Sequence, residues 1–274
     1  MASSLLVLTD FAQPANQALA YADRLAAAIG AQLVLLHVSR DALPDPEQLG
    51  GPLLDLGTEA TDLAFASLLS GLTAPAEAEI GHGPVAEAVA QAVRQHQPTL
   101  IVLSRTDAGD TPDKQLMPLS VALLHRVPHP LLMVPESPVP LPVPHRVLLA
   151  LDKEAFTLGQ YAGAMRGLLD ALAAAVTVLH VLLPCHVNQH AAQALEAVRR
   201  TGLIADVAEP VLHRHVSAMH PAEGILRIIG TAEYDLVALV ARPRSFLGRL
   251  FHRSVTAQVL LHSPIPVLIL PALE

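Results

Sequence analysis

The chain says the same thing twice. The segments VLTDFAQPANQAL and LVLLHV near its start are answered by LLALDKEAF and VTVLHV past its midpoint. LIVLSRT and LLHRVPHPLLMVP are answered by LVALVAR and VLLHSPIPVLILP near the end. The landmarks pair in order: Asp10 with Asp152, His37-Val38 with His180-Val181, Pro84 with Pro221, and Pro128 with Pro264. A repeat of this length is a duplicated domain, not a solenoid, whose units run to roughly 20–50 residues. Over 274 residues the duplication leaves two units of roughly 100–150 residues, each large enough to bury its own core. The segment Pro135–Pro144 carries five prolines, cannot sustain a helix, and reads as a semi-rigid extended connection. The expected division is a first domain over 1–136, a linker over 137–144 and a second domain over 145–274.

Each unit opens on a short apolar run, Leu5–Leu8 or Val147–Leu151, which suits a strand buried on both faces, and each run is followed closely by aspartate. An Ala-rich amphipathic stretch follows, Asn16–Ile29 with Gly30 as its stop, or Gly159–Ala175. Second strands are expected at Leu33–Val38 and Val176–Leu183. More polar third strands are expected at Ala76–Ile80 and Pro210–His215, and helices begin near Pro84 and Pro221, where proline suits a first turn. Fourth strands at Leu100–Leu103 and Leu236–Val240 and last strands at Leu131–Val134 and Val267–Leu270 complete the pattern. Alternation of this kind predicts an α/β fold with two tandem, doubly wound parallel sheets of five strands each.

Composition narrows the function classes. Hydrophobic residues make up 52% and charged residues 15% of the chain, too apolar for disorder. Apolar stretches are broken well before the roughly 18 residues a membrane span requires, so a cytoplasmic protein without a targeting segment is expected. The formal charge of −8 argues against nucleic-acid and anionic-membrane partners. Cys185 is the only cysteine, which excludes an intramolecular disulfide. Cys185, His186 and His190 are the nearest approach to a metal-ligand cluster, with His213, His215 and His220 further along. Their spacing matches no strong metal signature, so no metal is expected. His37 and His180, inside apolar strands at matched positions, read as core or sheet-edge histidines. No Gly-x-Ser-x-Gly elbow, Walker loop or His-Glu-x-x-His motif is present, so no enzyme is expected beyond slow ATP hydrolysis at most.

A strand followed by Asp, a second strand ending in His-Val, a strand-loop-helix segment and a closing x-P-x-P strand, all twice over, resemble the universal stress protein (UspA) domain. That resemblance implies an adenine nucleotide alpha hydrolase-like, Rossmann-like fold. It also implies that the apolar last strands pair antiparallel, here as an intramolecular pseudo-dimer of the two repeats, with a homodimer and an unidentified protein partner as further expectations. Some members bind ATP, with the aspartate after the first strand and the valine of the second at adenine and ribose. Asp10, Val38, Asp152 and Val181 match those positions.

The family's phosphate loop, G-x2-G-x9-G-[ST], has no such match. Its glycine positions fall on Ser104, Asp107 and Met117 in the first repeat, followed by Pro118, and on Val240, Pro243 and Arg253 in the second, where Ser254 keeps the hydroxyl. Side chains there block the close backbone approach that glycine allows, and proline removes a donor. The first loop is acidic, with Asp107, Asp110 and Asp113. The second is basic, with Arg242, Arg244, Arg249 and Arg253 beside His252. Two readings follow. The chain is a stress-response regulatory protein of the non-ATP class, with no cofactor, acting by interaction. The alternative is a protein whose second repeat binds ATP or another phosphate ligand through arginines that replace the glycines. The aspartates read equally well as ribose contacts and as turn residues entering a helix.

Overall fold

The computed structural model describes residues 3–39, 58–105, 119, 122–123, 126–152, 154–182, 190–204, 212–218, 220–231, 233–242 and 254–273. The chain divides into two compact units, Met1–Pro128 and His129–Glu274.

In the first unit β1 (Ser4–Leu8), α1 (Gln13–Ile29), β2 (Gln32–Ser39), α2 (Thr58–Ser70), β3 (Ala76–His82), α3 (Val85–His96) and β4 (Leu100–Arg105) follow one another. The strands are parallel and ordered β3-β2-β1-β4. Leu5, Leu6, Val7, Leu33, Val34, Leu35 and Val102 have essentially no exposed surface, which is why these strands read as unbroken apolar runs. Burial of each such side chain is worth roughly 1.5–3 kcal/mol. Helix α1 has Pro14 in its first turn and ends at Gly30, whose φ of 67° is left-handed and whose N–H bonds back to the Ala26 carbonyl. Asp23, on the buried face of α1, accepts hydrogen bonds from the amides of Thr73 and Ala74 at 2.8–3.1 Å, which pins the turn before β3.

The second unit contains β5 (Leu131–Pro135), β6 (Arg146–Leu151), α4 (Tyr161–Ala171), β7 (Ala175–Leu182), α5 (His190–Thr201), β8 (Leu212–Ser217), α6 (Pro221–Ile229), β9 (Leu236–Ala241), α7 (Val255–His262) and β10 (Val267–Pro271). Its order is β5-β10-β9-β6-β7-β8, parallel except that β5 runs antiparallel to β10 with Leu132 opposite Leu268. The last strands of the two sequence repeats therefore lie side by side, which covers two apolar edges at once. His129, at the entry to β5, meets the Tyr161 ring edge-on at 5.0 Å.

The units hold four and six strands where five each are expected, and several bounds shift, α1 beginning at Gln13 and β3 ending at His82; two further differences are instructive. Helix α4 stops at Ala171 rather than Ala175, because Ala173 turns left-handed (φ 46°) and the Ala175 amide is claimed by the His145 carbonyl at 2.7 Å. The third strand of the second repeat is Leu212–Ser217, two residues later than the apolar pattern suggests, in register with Thr177–Leu182.

Two contacts at opposite ends of the second unit's parallel strands hold it together. At the amino ends, Asp235 is 8% exposed and receives the Arg146 guanidinium at 2.6 and 3.2 Å and the amides of His145 and Arg146. Burial works to raise the Asp235 pKa. The Arg146 guanidinium and the two amides outweigh it and hold the carboxyl below its usual value. At the carboxyl ends, α6 packs on β7 through Gly224, where a Cβ would stand 2.8 and 3.1 Å from the Val181 methyls and 3.2 Å from the Ala218 Cβ.

A carboxylate with a depressed folded pKa stabilises the fold above its unfolded pKa of about 3.9, and the contribution fades as pH falls toward the folded value. Asp235→Asn is therefore expected to lose about 2 kcal/mol in urea melts at neutral pH, with the gap to the native protein closing as the pH drops below about 4. Gly224→Ala is expected to cost about 1–3 kcal/mol by overpacking. Gly163→Ala, in α4 with nothing within 4 Å of the added carbon, is expected to gain about 0.5–1 kcal/mol.

Candidate functional site

Strand order locates the site before any side chain is considered. In each unit the first strand lies between its second and fourth, β1 between β2 and β4, and β6 between β7 and β9. In the second unit β6 leads to β7 on one side and β9 to β10 on the other, and open α/β sheets bind ligands at the carboxyl ends of strands at such a switch point. Asp10 and Asp152 stand there, just after β1 and β6, and Arg242 directly follows β9.

Both aspartates serve their own turns. Asp10 Oδ1 accepts from the Ala12 amide at 3.0 Å, and Asp152 Oδ1 accepts from the Glu154 amide at 3.0 Å, the Asx-turn geometry. Each turn has a matched histidine beneath it. His37 Nδ1 donates to the Thr9 carbonyl and His180 Nδ1 to the Leu151 carbonyl, both at 3.0 Å. Because a carbonyl only accepts, each bond places the proton on Nδ1. The histidines thus fix the residue preceding each aspartate.

In the first repeat the strand ends are filled by aromatic rings. Phe11 adopts φ 62°, a conformation that costs a non-glycine residue about 1–3 kcal/mol. Its N–H donates to Thr9 Oγ1 at 3.0 Å and its carbonyl accepts from Asn16 Nδ2 at 3.3 Å. So held, the Phe11 ring lies 4.6 Å from His37 and 5.2 Å from the buried Phe65 of α2. Val38, half-buried, is paired with Gly81 in the sheet.

In the second repeat the strand ends are filled by an ion pair. Arg242 Nη2 and Nε donate to Asp152 Oδ1 and Oδ2 at 2.8 and 3.2 Å. Nη2 also reaches the Glu154 carbonyl at 2.8 Å, and Nη1 the Ala155 carbonyl at 3.0 Å. Glu154 Oε2 lies 3.5 Å from Nε. Four of the five guanidinium donors are therefore committed inward, and the side chain is 17% exposed. The connection that it holds, residues 152–160, is longer than its counterpart at residues 9–12. Leu158 anchors that connection in the core, and Leu273 pairs with Thr157 through a 2.9 Å backbone hydrogen bond. Val181, half-buried, faces Gly224 of α6. Ser254 caps α7, with Oγ accepting from the Ala257 amide at 3.1 Å.

The structure thus brings Asp152 and Arg242 together as partners, and gives Ser254 and Val181 structural tasks. Arg253, Arg244, Arg249, His252, the acidic loop of the first repeat, Cys185 and His186 lie outside the described residues; His190 begins α5. Among the described residues no cluster of three or more His, Cys, Asp or Glu is placed to hold a metal, and no helix is long and apolar enough to cross a membrane. Sequence reasoning missed Phe11, Phe65, Glu154 and Leu273. Only the longer connection after Asp152 left a trace, as the wider gap between that aspartate and the next helical pattern.

The sequence matches the model of the universal stress protein family twice, over residues 1–135 and 145–271. The fold is similar to that of a universal stress protein from Archaeoglobus fulgidus, at 17% identity and a TM-score of 0.69, over 98% of both chains. It is also similar to a putative universal stress protein from Pseudomonas aeruginosa, at 17% identity and 0.60, covering 99% of this chain and 94% of that one. The cytoplasmic domain of a prokaryotic cation chloride cotransporter is similar at 11% identity and 0.56, over 100% of this chain and 96% of that one. No curated protein matches the sequence. With the repeated sheet and two family matches that together span nearly its whole length, the chain belongs to the universal stress protein family and carries the family's domain in tandem.

Proposed function

We propose that this chain is a regulatory binding protein of the universal stress type that works through contacts with another protein and not by holding ATP. One observation carries the reading: the Asp152 carboxylate, at the position that would meet a ribose, is already taken at both oxygens by Arg242. A nucleotide would have to displace a bidentate, charge-assisted pair and two further carbonyl bonds before making its first contact. The phosphates would then lack a glycine loop on which to rest, since neither repeat keeps a glycine at those positions. In the first repeat the Phe11, His37 and Phe65 rings occupy the corresponding edge. The alternative, an anion site built from the second repeat's arginines and Ser254, draws on two residues that the fold already employs, Arg242 as a clamp and Ser254 as a helix cap.

Thermal denaturation tests the reading. A ligand at about 100 times its Kd adds about 2.7 kcal/mol to the folded state, which raises the Tm of a chain this size by several degrees. ATP, ADP and AMP at millimolar concentration are each expected to leave Tm unchanged. A rise with any of them that Arg242→Ala abolishes would replace this reading with the nucleotide-binding one.

A further inference from the structure

The connection between β6 and α4 is fastened by two different kinds of contact. Its second part, Thr157–Gly159, is built into the fold. Leu158 is fully buried, and Thr157 bridges to Leu273. Gly159, at φ 50°, leaves room for the Leu273 side chain, whose Cδ1 would stand 2.7 Å from an added Cβ. The Gly159 amide donates to Thr157 Oγ1 at 3.1 Å, and the Tyr161 amide to the Leu158 carbonyl at 3.0 Å, which runs this part directly into α4.

The first part has no such anchorage. Glu154 and Ala155 are exposed and Phe156 is half-buried. Among the described residues, two side chains hold this part: Asp152, whose Oδ1 accepts from the Glu154 amide, and Arg242, which reaches the Glu154 and Ala155 carbonyls and also grips the Asp152 carboxylate. Asp152 and Glu154 are 56% and 55% exposed, so the charged half of the contact faces solvent and is open to screening by salt.

We propose that Glu154–Phe156 is a strap beside the carboxyl ends of β6 and β9, with its hinge between Phe156 and Thr157 and Arg242 as its latch. The proposal rests on the reading of this edge as occupied by the protein itself. Closed, the strap covers the switch point. Released, it frees the two guanidinium N–H groups that the Glu154 and Ala155 carbonyls hold, while the Asp152 carboxylate, outside the strap, stays paired with Arg242. A segment held by a few solvent-facing polar contacts opens at far lower free energy than the buried sheet below it.

The chain contains three tyrosines but no tryptophan, so Phe156→Trp places on the strap a single tryptophan that can be excited selectively in the full-length protein. Acrylamide quenching of that tryptophan is expected to be weak at low salt. It is expected to rise about twofold or more in about 1 M NaCl. Adding Arg242→Ala to the reporter should raise it as much without salt and remove the salt response. Arg242→Lys, which loses the fork, should behave like the alanine variant. Circular dichroism melts under the same conditions separate opening from unfolding. Increased quenching with an unchanged melt supports the strap. Quenching that is flat across salt and variants, or that rises only as the dichroism is lost, overturns it. A nucleotide-induced Tm rise would overturn the reading of the edge and leave the salt response intact, so the two failures are distinguishable.

Discussion

Parallel strands buried on both faces leave only their ends for chemistry, and the rest of this structure follows from that constraint. Leu5–Val7 and Val147–Leu149 present nothing but hydrocarbon to the layers around them, so no polar group along the sheet can serve a ligand without a large desolvation cost. Polar residues gather where the strands stop. The strand order then selects one place among those stops, beside β1 and β4 in the first repeat and β6 and β9 in the second. Asp10, Asp152 and Arg242 are where they are because the hydrophobic pattern leaves them no other position.

The two repeats keep the same foundation at this place and cover it differently. His37 and His180 make the same bond, at the same distance, to the carbonyl that precedes each aspartate. Above that level one repeat closes the edge with three rings and a strained Phe11, and the other with a long connection and an arginine. The Asp152–Arg242 pair contributes little to global stability, since a half-exposed ion pair is typically worth about 0–1 kcal/mol. Asp235 and Arg146 do the opposite work at the other end of the strands, where the carboxylate is buried and its four hydrogen bonds are structural. One pair sets the shape of a surface, and the other ties the strands at their start.

Much of the architecture was readable because it depends on local and periodic signals. Gly30 ends α1, Pro221 opens α6, and the apolar runs fall on the strands they suggest. The failures share one cause. Ala171–Ala174 has ample helix propensity, yet the helix yields where Ala175 is recruited by the His145 carbonyl, a partner far back in the chain. Of the arginines after β9, Arg242 pairs with a carboxylate 90 positions earlier, and Arg244, Arg249 and Arg253 lie outside the described residues. Charge type is visible in a sequence; the partner that consumes it is a matter of tertiary distance. Likewise Phe65 and Phe11 are far apart in the chain, and only the fold brings their rings onto His37.

Whether the protein itself fills the second repeat's strand edge can be seen in a crystal structure of the chain grown in millimolar ATP. Arg242 is expected bidentate on Asp152, with Glu154–Phe156 closed beside β6 and β9 and no nucleotide density at either strand edge. An adenine or ribose against Asp152, with Arg242 turned away onto phosphate, would contradict it.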